Sequence, residues 1–189
     1  DLILLGSFYS LNPLTRPTVV RLLEEAQEQG AIVYYDPNFR ANHRQDLIHL
    51  MPNMIENFEA ASIIRGSNED FGYIFGLTEA DKIYNEKLKY YGSPFICTTA
   101  DGEVALRTHT FSKNYPVPRI ETVSTIGAGD TFNAGILFGL IHEGVYYDDL
   151  ATLPEATWDK VVSYAIRFSS EVCQSYQNYV SNEFAQSVK

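Results

Sequence analysis

The stretch ETVSTIGAGDTFNAGILFG, residues 121–139, joins three kinds of sequence in one short span. An extended, β-branched run (Thr122, Val123, Thr125, Ile126) meets Gly127-Ala128-Gly129-Asp130, and small and apolar residues follow from Phe132 to Ile141. That order predicts the end of a strand, a tight glycine turn and the start of a buried helix. Glycine lets backbone N–H groups approach a ligand with no Cβ in the way. The first N–H groups of a helix lack internal partners and carry partial positive charge. The turn Gly127, Ala128, Gly129 is therefore a candidate anion site, with phosphate the usual anion. Asp130 falls in the first helical turn as the carboxylate beside it. Spacing alone leaves a plainer account open, because Asp in a first turn complements the helix dipole. Two common nucleotide motifs are missing: there is no G-x-x-x-x-G-K-[ST], and Gly127-x-Gly129 lacks a third glycine.

Upstream of this stretch the chain alternates between strand and helix patterns. Leu2–Leu5, before Gly6-Ser7, is a continuous apolar run like that of a buried parallel strand. Thr15 and Pro17 suit a helix start and Gly30 its end. Residues 31–36 form the next strand, and the β-α-β order predicts a parallel sheet with helical crossovers. A helix with one buried face follows over Leu47–Phe58, then a strand over Ala61–Arg65 and a short helix ending at Gly76. A polar helix over Asp81–Tyr91 and a strand over Pro94–Thr98 come next. Asp101-Gly102 is a hairpin signal, and Val104–Phe111 and Tyr115–Val123 read as antiparallel strands leading into the glycine turn. Beyond that turn, an acidic loop over 143–155 precedes a final helix, Trp158–Tyr176. Residues 1–189 are expected to form one α/β domain with a mostly parallel sheet covered by helices.

Two loops at strand ends carry polar groups. Asp36-Pro37-Asn38-Phe39-Arg40 follows the second strand at its C-terminal end, where ligands gather in open α/β sheets. Asp-Pro and Asn are also ordinary turn formers. Gly66-Ser67-Asn68-Glu69-Asp70 follows the third strand and reads equally well as a helix cap with acidic residues in its first turn. His43, His49, His109 and His142 are scattered, without metal-ligand spacing. No G-x-S-x-G nucleophile motif occurs.

Composition narrows the function classes. With 189 residues, 45% of them hydrophobic, the chain can bury a sizeable core and is not disordered by composition. A net charge of −10 argues against nucleic acid and anionic membrane as partners. No apolar run approaches ~20 residues and no signal peptide is visible. Cys97 and Cys173 suggest no disulfide framework. The expected compartment is the cytoplasm.

The segment STIGAGDTFNAG, residues 124–135, resembles the second signature of the ribokinase (PfkB) family of sugar kinases, DTTGAGDxFxxG. The resemblance implies that Gly127, Ala128 and Gly129 form the anion hole for the transferred phosphate. It implies that Asp130 is the base that receives the proton of the sugar hydroxyl. The family's leading Asp, which often helps to hold a monovalent cation, is Ser124 here, which leaves monovalent-cation activation an open question for this chain. D-P-N-x-R is similar to the motif of fructokinase-like and 2-keto-3-deoxygluconate kinase-like members, which implies substrate-binding roles for Asp36, Asn38 and Arg40. The family's N-x-x-E, whose Glu orients waters on Mg²⁺, falls on Ser67 and Asp70 when counted back from Gly76; a register through Asn68 stays open. Its T-x-G-x-x-G loop beside the nucleotide keeps Gly102, with Cys97 and Thr99 at the other two positions, and implies nucleotide contacts at Thr99 and Gly102. The final helix and the loop after it frame adenine in the family. Here Gln174-Ser175-Tyr176-Gln177 stands where the family often has a glycine-containing loop.

The fold implied is the ribokinase-like three-layer sandwich, lacking its N-terminal part and lid, because the chain opens directly on a strand-like run. The activity implied is ATP-dependent phosphorylation of a sugar hydroxyl with Mg²⁺ bridging the phosphates, fructose and 2-keto-3-deoxygluconate being the leading sugars. A second account is a catalytically silent fragment or remnant that binds phosphate, nucleotide or a protein partner. Without the N-terminal part, apolar sheet edge and core surface should be uncovered. The segment is then expected to be completed by that part or to self-associate as a homo-oligomer.

Overall fold

Crossover helices make the first strands of the sheet parallel. β1 (Leu2–Leu5), β2 (Ile32–Tyr35) and β3 (Ile63–Ser67) are joined through α1 (Arg16–Glu28) and α2 (Leu47–Ala60). α3 (Asn68–Phe75) and a helical run over residues 80–91 lead to β4 (Phe95–Thr99), again parallel. That run opens as α4 (Ala80–Ile83) and continues through a π-helical turn at Tyr84–Leu88. β5 (Glu103–Arg107) and β6 (Ser112–Pro116) then add as antiparallel strands, so the six strands stand in chain order. The computed structural model describes residues 1–6, 8–100 and 102–188. Ser7 and Asp101, which the sequence places after the first strand and in the hairpin turn, lie outside them.

β2 is buried at every position, with β-branched and aromatic residues covering both of its faces as a central parallel strand requires. On one face Val33, Tyr35, Ile64, Phe95 and Cys97 join Leu23, Leu50, Met54, Phe58 and Phe71 in a single core. The rings of Tyr35 and Phe58, and of Phe71 and Phe95, meet edge to face with centroids 5.2 Å apart in both pairs. On the other face Ile32, Tyr34, Ile63, Ile96 and Leu106 are also buried. β6 reads Ser-Lys-Asn-Tyr-Pro, and its lysine and proline suit an exposed edge.

By internal contacts the chain forms two units, one of Asp1–Pro116 with Tyr146–Thr152, the other of Val117–Val145 with the residues from Leu153 onward. The second unit is built on α5 (Ala128–His142), α6 (Glu155–Cys173) and α7 (Asn182–Ser187). Gly135 and Gly139, one helical turn apart on α5, face the backbone of α6. A Cβ on Gly135 would lie 2.5 Å from the Cα of Ala165, and one on Gly139 2.9 Å from the Cα of Val161. Only glycine permits so close an approach. The Phe138 ring fills the flank of this contact against Tyr164 and Phe168, and Phe184 of α7 stands edge-on to Phe168.

Three expected elements differ. The run Thr122–Ile126 is not the end of a strand, and the expected strand Tyr115–Val123 exists only as the last residues of β6, which ends at Pro116. The N–H groups of Val123 and Ser124 instead donate to the Cys173 carbonyl, at 2.8 and 3.3 Å. β-branched residues favour a strand only where a neighbouring strand offers a surface to pack on and a ladder to join. The strand expected over Val104–Phe111 stops at Arg107, and the last long helix stops at Cys173 instead of Tyr176. The sequence also does not announce α7, which is capped by Ser181 Oγ accepting the Phe184 N–H at 3.1 Å.

The close contact of α5 and α6 predicts that Gly135→Ala destabilises the protein by about 1–3 kcal/mol, the usual range for overpacking a filled contact. The check is a lower denaturant midpoint at unchanged m-value. A gain of stability, as helix propensity alone would give, would show that the two helices are not in backbone contact.

Candidate active site

The glycine turn belongs to the second unit and opens α5. Gly127 is its N-cap, with φ +81°, a left-handed value that favours glycine. A Cβ there would also meet the Cβ of Asn178 at 3.0 Å. The turn is closed from within: Ala128 N–H donates to Thr125 O at 3.2 Å, and Thr131 donates to Gly127 O through its N–H at 2.9 Å and its Oγ1 at 2.6 Å. Ser124 Oγ accepts the Ile126 N–H at 3.2 Å. The end of α6, through Cys173 O, and the segment beyond it, through Asn178, brace it from outside. By position the N–H groups of Gly129 and Asp130 have no carbonyl one turn back inside the helix, which is what an anion site needs. Asp130 is exposed in the first turn beside them.

In the first unit Asp36 continues the line of β2. The pairing of Tyr34 with Ile63 and Tyr35 with Ile64, carried on by one residue, sets Asp36 beside Arg65. Their side chains meet: Arg65 Nη1 donates to Asp36 Oδ2 at 2.6 Å, the two side chains being 9% and 3% exposed. Arg65 Nη2 donates to Thr98 Oγ1 at 2.8 Å. Burial is the largest single influence and works against the Arg65 charge, but Asp36, Tyr34 and Asp70 together outweigh it and hold the guanidinium's pKa above its ordinary value. Asp36 Oδ1 accepts the N–H of Asn38 at 3.1 Å, and Asn38 takes φ +43°. Asn tolerates the left-handed region better than other side chains. Phe39 then turns inward, fully buried, and Arg40 is left exposed at the start of a 3₁₀ turn over Ala41–Asp46. His43 in that turn stacks on Phe8 with centroids 3.6 Å apart.

Asp70 sits at the start of α3 in a capping box. Ser67 Oγ accepts the Asp70 N–H at 3.1 Å, and Asp70 Oδ2 accepts the Ser67 N–H at 2.8 Å. Ser67 and Asp70 are the pair that forms the cap, and Asn68 takes no part in it. Asp70 is 4% exposed, and burial pushes its pKa above the ordinary carboxylate value against the hydrogen bonds from Ser67. Neighbouring Glu69 accepts from the Tyr73 hydroxyl at 2.7 Å. Asp70 therefore serves the helix cap, and any part in orienting metal-bound water would come in addition. Thr99 and Gly102 belong to the β4–β5 hairpin turn: Gly102, at φ +81°, donates its N–H to Thr99 O at 3.3 Å, and Thr99 Oγ1 accepts the Glu103 N–H at 3.3 Å. Among the described residues no group of three His, Cys, Asp or Glu could hold a metal ion, and no helix is long and apolar enough to cross a membrane.

The sequence thus marks Asp36 and Asn38 correctly as neighbours in one turn, but it misses Arg65 and Thr98, which anchor them. An arginine closing an apolar strand reads as a boundary. The available signal was that a charge inside a parallel sheet requires a buried carboxylate partner.

A family model described as pfkB family carbohydrate kinase matches residues 1–184. The chain is 29% identical to a fructokinase of Klebsiella pneumoniae over 140 residues, 74% of this chain and 45% of that protein. In fold it is similar to a fructokinase double mutant from Vibrio cholerae solved in its fructose-, ADP- and potassium-bound form, with a TM-score of 0.81, 16% identity, and coverage of 94% of this chain and 56% of that one. The aminoimidazole riboside kinase of Salmonella enterica gives a TM-score of 0.75 at 20% identity, over 92% of this chain and 56% of that one. The chain spans about half the length of the curated relatives it matches.

The geometry of the turn predicts that Gly127→Ala lowers stability by more than the ~1–2 kcal/mol of left-handed strain alone. Gly144→Ala is the reference, since Gly144 has φ +66° with nothing within 4 Å of its added Cβ. Equal losses in urea unfolding of the two variants would show that the Asn178 contact has no weight.

Proposed function

The chain belongs to the pfkB family of carbohydrate kinases, and from that premise we propose that the whole protein transfers the terminal phosphoryl group of ATP to a sugar hydroxyl. The observation that carries this is the left-handed Gly127 opening α5 with Asp130 in its first turn. Phosphoryl transfer passes through a loose transition state in which positioning and charge neutralisation dominate. The N–H groups of the Gly127–Gly129 turn are suited to the charge that develops on the transferred group. Asp130, exposed beside them, takes the hydroxyl proton.

Asp36, Asn38 and Arg40 are the proposed sugar contacts, with Arg40 the exposed cation. Thr99 and Gly102 are proposed nucleotide contacts, and Asp70 a contact to metal-bound water. Mg²⁺, when bound, neutralises phosphate charge. The donor set fits an ion held through nucleotide phosphates and water more than one caged by protein side chains. No monovalent cation site is proposed at Ser124, whose Oγ is turned to the Ile126 N–H. Fructose is the first sugar to test, because the Klebsiella and Vibrio relatives are fructokinases. Cytoplasmic ATP would be the donor.

In the complete protein, Asp130→Asn should leave the fold intact and lower kcat by roughly 10²–10⁴, the usual contribution of a positioned acid–base group. ATP consumption over a sugar panel that includes fructose measures it. Activity within a few-fold of wild type would remove Asp130 from the mechanism. A wild-type protein without turnover on any sugar would leave a silent, phosphate-binding protein as the better account.

A further inference from the structure

We infer that Arg65 is the positioning residue of the Asp36–Arg40 turn: by holding one oxygen of Asp36 it aims the other at the Asn38 backbone, and so sets where Arg40 points. The inference rests on the proposed sugar side of the site, but its first test does not.

Four observations lead to it. Arg65 bonds two acceptors on two neighbouring strand lines, Asp36 after β2 and Thr98 on β4, so one planar guanidinium spans the C-terminal ends of β2, β3 and β4. Lysine, a single point charge, cannot bridge two acceptors in a fixed plane. Second, the pair divides the carboxylate: Oδ2 takes the guanidinium and Oδ1 takes the Asn38 N–H. Rotation of the Asp36 side chain would break both bonds together. Third, Asn38 is the only non-glycine residue with positive φ among the described residues, a conformation that persists only where the surroundings impose it. Fourth, the residues that follow point to opposite sides, Phe39 into the core and Arg40 to solvent. A different backbone direction at Asn38 would exchange or displace them.

A buried ion pair is weak grounds for stability, since apolar replacements are often as stable. Its location suits orientation better. Open α/β sheets bind ligands at the C-terminal ends of their strands, and this pair lies at those ends. Asp70 adds a second carboxylate to the field at Arg65, under a turn that carries another cation, Arg40.

The test is amide hydrogen exchange at Asn38 in Arg65→Gln, Arg65→Lys and Thr98→Val. In Arg65→Gln the Asn38 N–H should exchange at least about tenfold faster than in wild type. The Asp36 N–H, bonded to Leu5 O, and the Ile64 N–H, bonded to Pro94 O, should stay within about threefold. Arg65→Lys should fall between, and Thr98→Val, which leaves the Asp36 contact in place, should match wild type at Asn38. If Arg65→Gln does not fold, Arg65→Lys decides. Asn38 exchange within about threefold of wild type in the folded Arg65 variants, or an equal rise in Thr98→Val, overturns the inference. In the complete protein the same Arg65 variants should raise the sugar KM about tenfold and leave the ATP KM unchanged. A loosened Asn38 with both KM values unchanged upholds the role of Arg65 and removes the turn from the sugar side instead.

Discussion

The backbone contact between α5 and α6 is the constraint on which the glycine turn depends. Gly135 and Gly139 allow the two helices to touch without intervening side chains, and this fixes the axis on which the first turn of α5 sits. The same partner then reaches the turn a second way. The carbonyl at the end of α6, Cys173 O, takes two N–H groups from the loop before Gly127, and Asn178 lies against Gly127 itself. One helix and its tail therefore hold both ends of a loop that has no strand neighbour. Backbone donors stabilise developing charge only if they already point at it before the reaction starts. Anchoring from a long helix supplies that rigidity where a sheet does not.

The first unit solves a different problem. β2 is buried on both faces and wholly apolar, and in β3 and β4 the polar residues come at the C-terminal ends of the strands. Arg65 enters there with its counter-charges: Asp36 from the next strand line and Asp70 from the start of α3. The surrounding hydrocarbon raises the free energy of either charge alone and strengthens their attraction. An arrangement of this kind contributes little net stability but leaves few alternative geometries, because each charge has its acceptors or donors fixed by separate strands.

Most of the fold was legible in the chain because its signals are local. Leu2–Leu5, Ile32–Tyr35 and the helix ending at Gly30 are each announced by their own residues and by the residues that stop them. The same holds for Gly127 and for Ser67 with Asp70, where turn and cap chemistry lie within a few residues. What failed was non-local. Thr122–Ile126 has the β-branched content of a strand, yet its backbone partner is a carbonyl some fifty residues on, at Cys173. No property of the run itself reveals that. Arg65 likewise looks like the end of an apolar segment until the register of β2 and β3 sets Asp36 beside it. α7 is short and stands on packing of Phe184 against Phe168, which propensity does not register. The turns that carry the candidate residues were thus legible as motifs, and the groups that hold those turns were not.

The three carboxylates proposed for function also separate once their surroundings are known. A motif treats Asp36, Asp70 and Asp130 alike, as acidic residues near phosphate chemistry. Asp36 is buried and divided between a guanidinium and a backbone amide, so its charge is already committed. Asp70 is buried in a capping box, where burial raises its pKa and its oxygen Oδ2 is taken by Ser67. Of the three, Asp130 alone is exposed, beside N–H groups that by position have no partner inside the helix. An acceptor of a substrate proton must be reachable and uncommitted, and environment rather than residue type decides which carboxylate meets that need. A carboxylate is a weak base, but a loose transition state asks little basicity of it, because the hydroxyl loses its proton late. In the proposed reaction the greater demand is that the phosphoryl group be held in place, and that demand would fall on the neighbouring turn, which is held by its left-handed glycine and by α6.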